Sequence, residues 1–104
     1  MATNYQRGYN FEYRCRKELE SKGFFVVRSA GSKGPADLVA IREGKVLLVQ
    51  CKLDEGLINA KERDKLLDVA AKTFTVPVLA EREKPRGPIN WVRLDGEENV
   101  DGLD

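Results

Sequence analysis

The chain has 104 residues, 41% apolar and 34% charged, with a formal net charge of +1. That is the make-up of one water-soluble domain, and with no membrane-length apolar run or leader pattern a cytoplasmic, reducing setting is expected. Two cysteines, Cys15 and Cys51, and no histidine exclude a zinc site, a disulfide framework and every mechanism that needs an imidazole.

Met1–Gln6 lacks periodicity and is expected to be a flexible arm. Gly8–Lys22 is predicted as a helix, because Phe11, Cys15 and Leu19 recur at i, i+4 and i+8 and Gly23 stops it. Glu12 lies seven residues before Leu19, hence within about 20° of it on the helical wheel. A carboxylate at the edge of an apolar stripe is costly unless paired or holding a cation. A pair with Arg16, one turn on, and a cation-holding role both stay open. Phe24–Arg28 (FFVVR) is predicted as the first strand, followed by the small-residue loop Ser29–Pro35. Glycines there let a backbone approach a ligand closely, and Ser29 and Ser32 offer hydroxyls to phosphate.

Two β-branched-rich runs come next, Asp37–Arg42 and Lys45–Lys52, joined by Glu43-Gly44, which is a hairpin signal. A two-residue loop sets Arg42 opposite Lys45, Val39 opposite Leu48 and Asp37 opposite Gln50. Because strand side chains alternate, Lys52 shares the face of Gln50. One face thus reads Asp37, Val39, Ile41 against Val46, Leu48, Gln50, Lys52, apolar near the turn and polar at the open end. After the loop Leu53–Asn59, a second helix is predicted over Ala60–Phe74, with Leu66, Ala70 and Phe74 on one stripe and Leu67 and Ala71 beside it. Thr75–Pro77 breaks the pattern. Val78–Glu81 and Ile89–Leu94 read as short strands around KPRGP, with Val78, Leu79 and Trp91 in the core. Residues 95–104, DGEENVDGLD, are an acidic tail expected to be disordered. The order α-β-β-β-α-β-β predicts an α/β single domain, a mixed central sheet flanked by helices.

Charge is unevenly spread. Arg7, Arg14, Arg16, Lys17, Lys22, Arg28 and Lys33 crowd the first half, whereas the tail is acidic. A basic region in a near-neutral chain suits a polyanion-binding face, although any one of these side chains could simply solvate a helix. The open end of the hairpin likewise allows two readings: a solvated Asp37–Lys52 ion pair, or a site. Metal-dependent phosphodiester hydrolysis needs one or two carboxylates to hold Mg²⁺, and a cation beside the attacking water. Asp37 and Glu12 are the candidate carboxylates, with the Gln50 side-chain oxygen and the Cys51 carbonyl completing an oxygen set. Lys52 would orient the water and stabilise negative charge.

The pattern Asp37…Gln50-Cys51-Lys52 resembles the PD-(D/E)XK nuclease signature. The longer segment RGYNFEYRCRKELESKGFFVVRSAGSKGPADLVAIREGKVLLVQCK resembles archaeal-type Holliday junction resolvases, and the likeness runs on more loosely through KERDKLLDVAAKTF and PVLA. This resemblance implies a restriction-endonuclease-like fold and a homodimer that cuts branched, four-way DNA with Mg²⁺, with Mn²⁺ able to replace it. It implies that Glu12, Asp37 and Lys52 are catalytic, with Gln50 standing where the family usually has glutamate. Arg28 and Ser32 correspond to loop residues at the scissile phosphate, with Ser29 and Lys33 beside them, and Arg7 and Arg14 to basic residues facing DNA. A same-fold nuclease for another DNA form, and a junction-binding protein that has lost cleavage, remain the alternatives. Gln50 is the only argument for the last.

Overall fold

The computed structural model describes residues 3–29, 34–53 and 58–96, apart from the side chain of Asn4. Helix α1 spans Asn4–Ser21, so it begins well before Gly8 and takes in half of the stretch expected to be an arm. The reason is local. Thr3 accepts the Gln6 N–H while the Gln6 side chain accepts the Thr3 N–H, a reciprocal capping box that satisfies two otherwise orphaned donors. Gly23, at φ +92°, takes the chain out of the helix.

Five strands follow the expected order: β1 Phe25–Arg28, β2 Leu38–Arg42, β3 Lys45–Lys52, β4 Val76–Glu81 and β5 Asn90–Arg93, with α2 (Ala60–Thr73) between β3 and β4. They lie side by side in chain order in one sheet. Only β3 and β4 are parallel, because α2 crosses over between them; every other neighbouring pair is antiparallel. Glu43 and Gly44 both have positive φ, 47° and 79°, the signs of a type I′ hairpin turn. That turn sets Arg42 against Lys45 and Val39 against Leu48, as the spacing predicts.

The two sheet faces are covered unequally. On one face α1 seats Phe11, Cys15 and Leu19 on Val26, Leu38, Ala40, Leu47, Val49 and Val78. On the other, α2 buries Leu66 and Ala70 against Leu48, with Val39 and Leu94 packed beside them. Trp91 packs half-buried at the margin of the first cluster, its indole N–H donating to Glu18.

Two expectations need correction. Phe74 does not continue the α2 stripe: it is the left-handed C-cap, φ +55°, and is 96% exposed. Pro77 does not break the chain before a strand but lies inside β4, opposite Leu48. Its missing N–H removes a donor, yet its carbonyl still accepts from Leu94 at 2.9 Å.

Candidate active site

At the open end of the hairpin the chain leaves regular pairing. Asp37 lies just before β2 and is not an opposed strand partner of Gln50; its N–H donates to the Val49 carbonyl at 2.8 Å. Its carboxylate turns back to accept the Cys51 N–H at 2.8 Å. The backbone of β3 therefore aims this side chain, which a simple ladder would not do. Gln50 and Lys52, on the face that β3 shares with α2, line a cleft of about 540 Å³ together with Asp37. The opposite wall is α2, which contributes Glu62, Lys65 and Asp68. Cys51 points the other way, into the α1 side of the core.

Glu62 is the residue that sequence reasoning missed. Its carboxylate bonds the Lys52 ammonium at 2.8 Å, and that bond holds its pKa below the usual carboxylate range. Asn59-x-x-Glu62 signals a helix start, since Asn59 accepts the Glu62 N–H at 2.8 Å. Nothing in that signal says which cleft the helix would border.

Glu12 approaches from α1. Its partner is not Arg16, which bonds Glu20 at 3.2 Å, but Arg28 at the end of β1, at 3.3 Å. Burial and the nearby Asp37 raise the Glu12 pKa by more than Arg28 lowers it. Asp37 is raised as well, first by burial and then by Glu62, against the pull of the Cys51 N–H, Lys52 and Arg28. A bound cation would relieve both the burial of these carboxylates and the repulsion that Asp37 exerts on Glu12. Among the described residues no three Asp, Glu, Cys or His side chains converge closely enough to hold an ion by themselves. The oxygens available, one or two carboxylates with an amide and a carbonyl, suit Mg²⁺, which keeps several waters.

The basic candidates separate. Arg28 stacks on the Tyr9 ring at 5.0 Å, beside Glu12. Ser29 follows it, its N–H donating to the Asp37 carbonyl at 2.8 Å. Arg7 is on the exposed side of α1. Arg14 is half-buried, and its guanidinium donates to the Gly87 carbonyl in the β4–β5 turn. Ser32 and Lys33 lie outside the described residues, as do Asp54 and Glu55.

A family model described as archaeal Holliday junction resolvase (Hjc) matches residues 3–99. The chain belongs to that family. It is 40% identical over 83 residues to a crossover junction endodeoxyribonuclease Hjc of Methanocaldococcus jannaschii, an alignment covering 77% of this chain and 62% of that protein. The chain thus spans less than two thirds of that relative's length. The fold is similar to that of Archaeoglobus fulgidus Hjc, a Holliday junction resolvase from an archaeal hyperthermophile. The TM-score is 0.75 at 24% identity, covering 91% of this chain and 79% of that one. The resemblance to archaeal-type Holliday junction resolvases, carried by the segment from Arg7 to Lys52, is thereby borne out as family membership.

The raised Asp37 pKa has a consequence for the metal-free protein. In the folded chain Asp37 binds its proton more tightly than its ordinary value of 3.8. Ionising it therefore costs stability as pH rises through the folded value, and the cost vanishes below the unfolded one. With EDTA present, Asp37→Asn should raise Tm at pH 7, and the gain should fade as pH falls toward 4. A Tm difference of the same size at both pH values would assign the effect to something other than this carboxylate's charge.

Proposed function

We propose that this chain is a divalent-metal-dependent endonuclease that resolves four-way DNA junctions by paired phosphodiester hydrolysis as a homodimer. The observation that carries the reading is the Asp37 carboxylate, aimed by the Cys51 N–H into the cleft that Gln50 and Lys52 line. Asp37 and Glu12 would hold the ion, Mg²⁺ by choice and Mn²⁺ as a substitute, with the Gln50 side-chain oxygen and the Cys51 carbonyl. When bound, such an ion supplies Lewis-acid charge and an acidified water.

The chain's own groups do the rest. Lys52 orients the attacking water and stabilises the negative charge that grows on phosphate. Water oxygen bonds to phosphorus as the bond to one strand oxygen breaks, and a proton passes to that leaving oxygen. Arg28, Ser29, Ser32 and Lys33 would grip the scissile phosphate, and Arg7 the backbone beyond it. Arg28 is paired with Glu12 at 3.3 Å and would be available for that contact if Glu12 held a cation instead. Arg14, turned to Gly87, is a tie between α1 and the β4–β5 turn.

A single chain offers one such centre, so cutting two opposed strands calls for two-fold symmetry. Phe25, Val27 and Ile41 supply a surface for it: they are 68%, 46% and 40% exposed, on the part of the α2-side sheet face that α2 leaves bare. A contiguous apolar strip on a twisted sheet suits a second copy of itself.

Incubating the protein with an end-labelled four-way junction and Mg²⁺, then running a denaturing gel, tests the reading. Paired, symmetric cuts near the branch are expected. Cuts confined to linear or flapped DNA would move the substrate elsewhere, and a mobility shift without cuts would make the chain a binder.

A further inference from the structure

Lys52 has a four-carbon stem that can reach more than one acid, so something must decide where its ammonium rests. Two carboxylates line the cleft with it: Asp37 from the hairpin and Glu62 from α2. Asp37 already commits one oxygen to the Cys51 N–H. The ammonium bonds Glu62 Oε2 instead, at 2.8 Å, with the two side chains only 24% and 34% exposed.

The position of Glu62 is firmly set. It is the third residue of α2, its N–H held by the Asn59 cap, and its charge suits the positive end of the helix. The equivalent residue of α1, Gln6, turns its side chain back to close a capping box. Glu62 sends its side chain across the cleft to Lys52. A carboxylate diverted from its own helix end to a candidate catalytic lysine points to a role in the cleft.

We infer that Glu62 is a positioning residue for Lys52, supplying from α2 the carboxylate that the strand lacks at Gln50. The inference rests on the nuclease reading above. Gln50 and Lys52 are two residues apart on the same face of β3, and Glu62 meets that face from the opposite wall. Two acids and one lysine thus share the cleft although one strand position is an amide. By holding the ammonium on the α2 side, Glu62 keeps Lys52 from collapsing onto Asp37 and neutralising the carboxylate meant for the ion.

The test is a cycle of three variants: Glu62→Gln, Gln50→Glu and the double substitution, each checked for wild-type circular dichroism. Glu62→Gln keeps the helix position and the Asn59 contact while removing the charge. Junction cleavage at saturating Mg²⁺ should fall about 10-fold to 100-fold, the usual loss when a partner that orients a site group is removed. The Mg²⁺ concentration for half-maximal cleavage should rise with it. Gln50→Glu should need less Mg²⁺ than wild type, and the double variant should recover most of the lost rate, since it restores a carboxylate beside Lys52.

A metal-free readout accompanies this: acylation of Lys52 by an amine-reactive ester in EDTA, followed by peptide mass spectrometry. Glu62→Gln should speed Lys52 labelling several-fold relative to Lys72, and the double variant should slow it again. Wild-type cleavage that Glu62→Gln leaves untouched overturns the inference. So does a loss that Gln50→Glu fails to restore, because the role would then belong to the helix and not to the charge. A wild-type protein that does not cut any junction fails one step earlier, at the nuclease reading itself, and takes the positioning role with it.

Discussion

Asp37→Asn should abolish junction cleavage, by at least about a thousandfold, while binding to the intact junction stays within about twofold. The substitution keeps the volume and an oxygen able to accept the Cys51 N–H, so the bond at 2.8 Å has a replacement and the fold has no reason to move. What is lost is the charge that would hold the ion. A metal that stabilises phosphoryl charge contributes several kcal/mol to the barrier, and about 4 kcal/mol corresponds to about a thousandfold in rate. Binding is spared because it draws on Arg and Lys contacts to phosphate, and removing a carboxylate beside that path reduces repulsion. Single-turnover cleavage and a gel-shift titration in Ca²⁺, on one preparation, make the comparison. Cleavage by Asp37→Asn at more than a few per cent of the wild-type rate would remove this carboxylate from the chemistry.

The second large effect is expected at the bare strip of the sheet. Phe25→Asp should convert the proposed dimer into a monomer, and the paired cuts proposed above into single nicks. Phe25 faces Ile41 directly across the β1–β2 ladder and is 68% exposed in the single chain, so the substitution leaves the fold itself little changed. In a two-fold interface each substitution counts twice. Losing about 2 kcal/mol of apolar burial on each side amounts to about a thousandfold weaker association. Sedimentation at micromolar concentration reads the mass, and a cruciform plasmid distinguishes nicked circles from linear product. A Phe25→Asp protein that still sediments as a dimer would place the two-fold axis elsewhere.

Much of this was legible in the residues. The hairpin register followed from one two-residue turn, because a fixed loop length leaves the ladder no freedom to slip. The helix stripes through Phe11, Cys15 and Leu19, and through Leu66 and Ala70, followed from apolar spacing alone. The errors have equally specific causes. The early start of α1 was visible in Thr3-x-x-Gln6, a capping-box spacing that the lack of apolar periodicity masked. Pro77 read as punctuation because the rule that keeps proline out of strands is statistical, and at this position the carbonyl accepts from Leu94, just past β5. Arg16 is the only basic partner that spacing offers Glu12, since spacing reveals neighbours on a helix but not the Arg28 that β1 brings alongside. Glu62 was beyond reach for the same reason: it meets Lys52 only because a parallel crossover returns the chain over the strand it left.

Strand order also dictates an order of assembly. The chain from β1 to β3 is a meander whose pairings close over nine residues and then two, whereas β4 finds β3 only after the chain from residue 53 to residue 75 has doubled back. Short closures cost less entropy, so the meander and α1 should gain native contacts first and the parallel register last. Glu12, Arg28, Asp37, Gln50 and Lys52 all belong to the early half, and Glu62 is the latecomer. Conservative substitutions in the meander, such as Leu47→Ala, should slow folding, and those in β4, such as Val78→Ala, should mainly speed unfolding. The reverse pattern in stopped-flow measurements would mean that the crossover nucleates the domain.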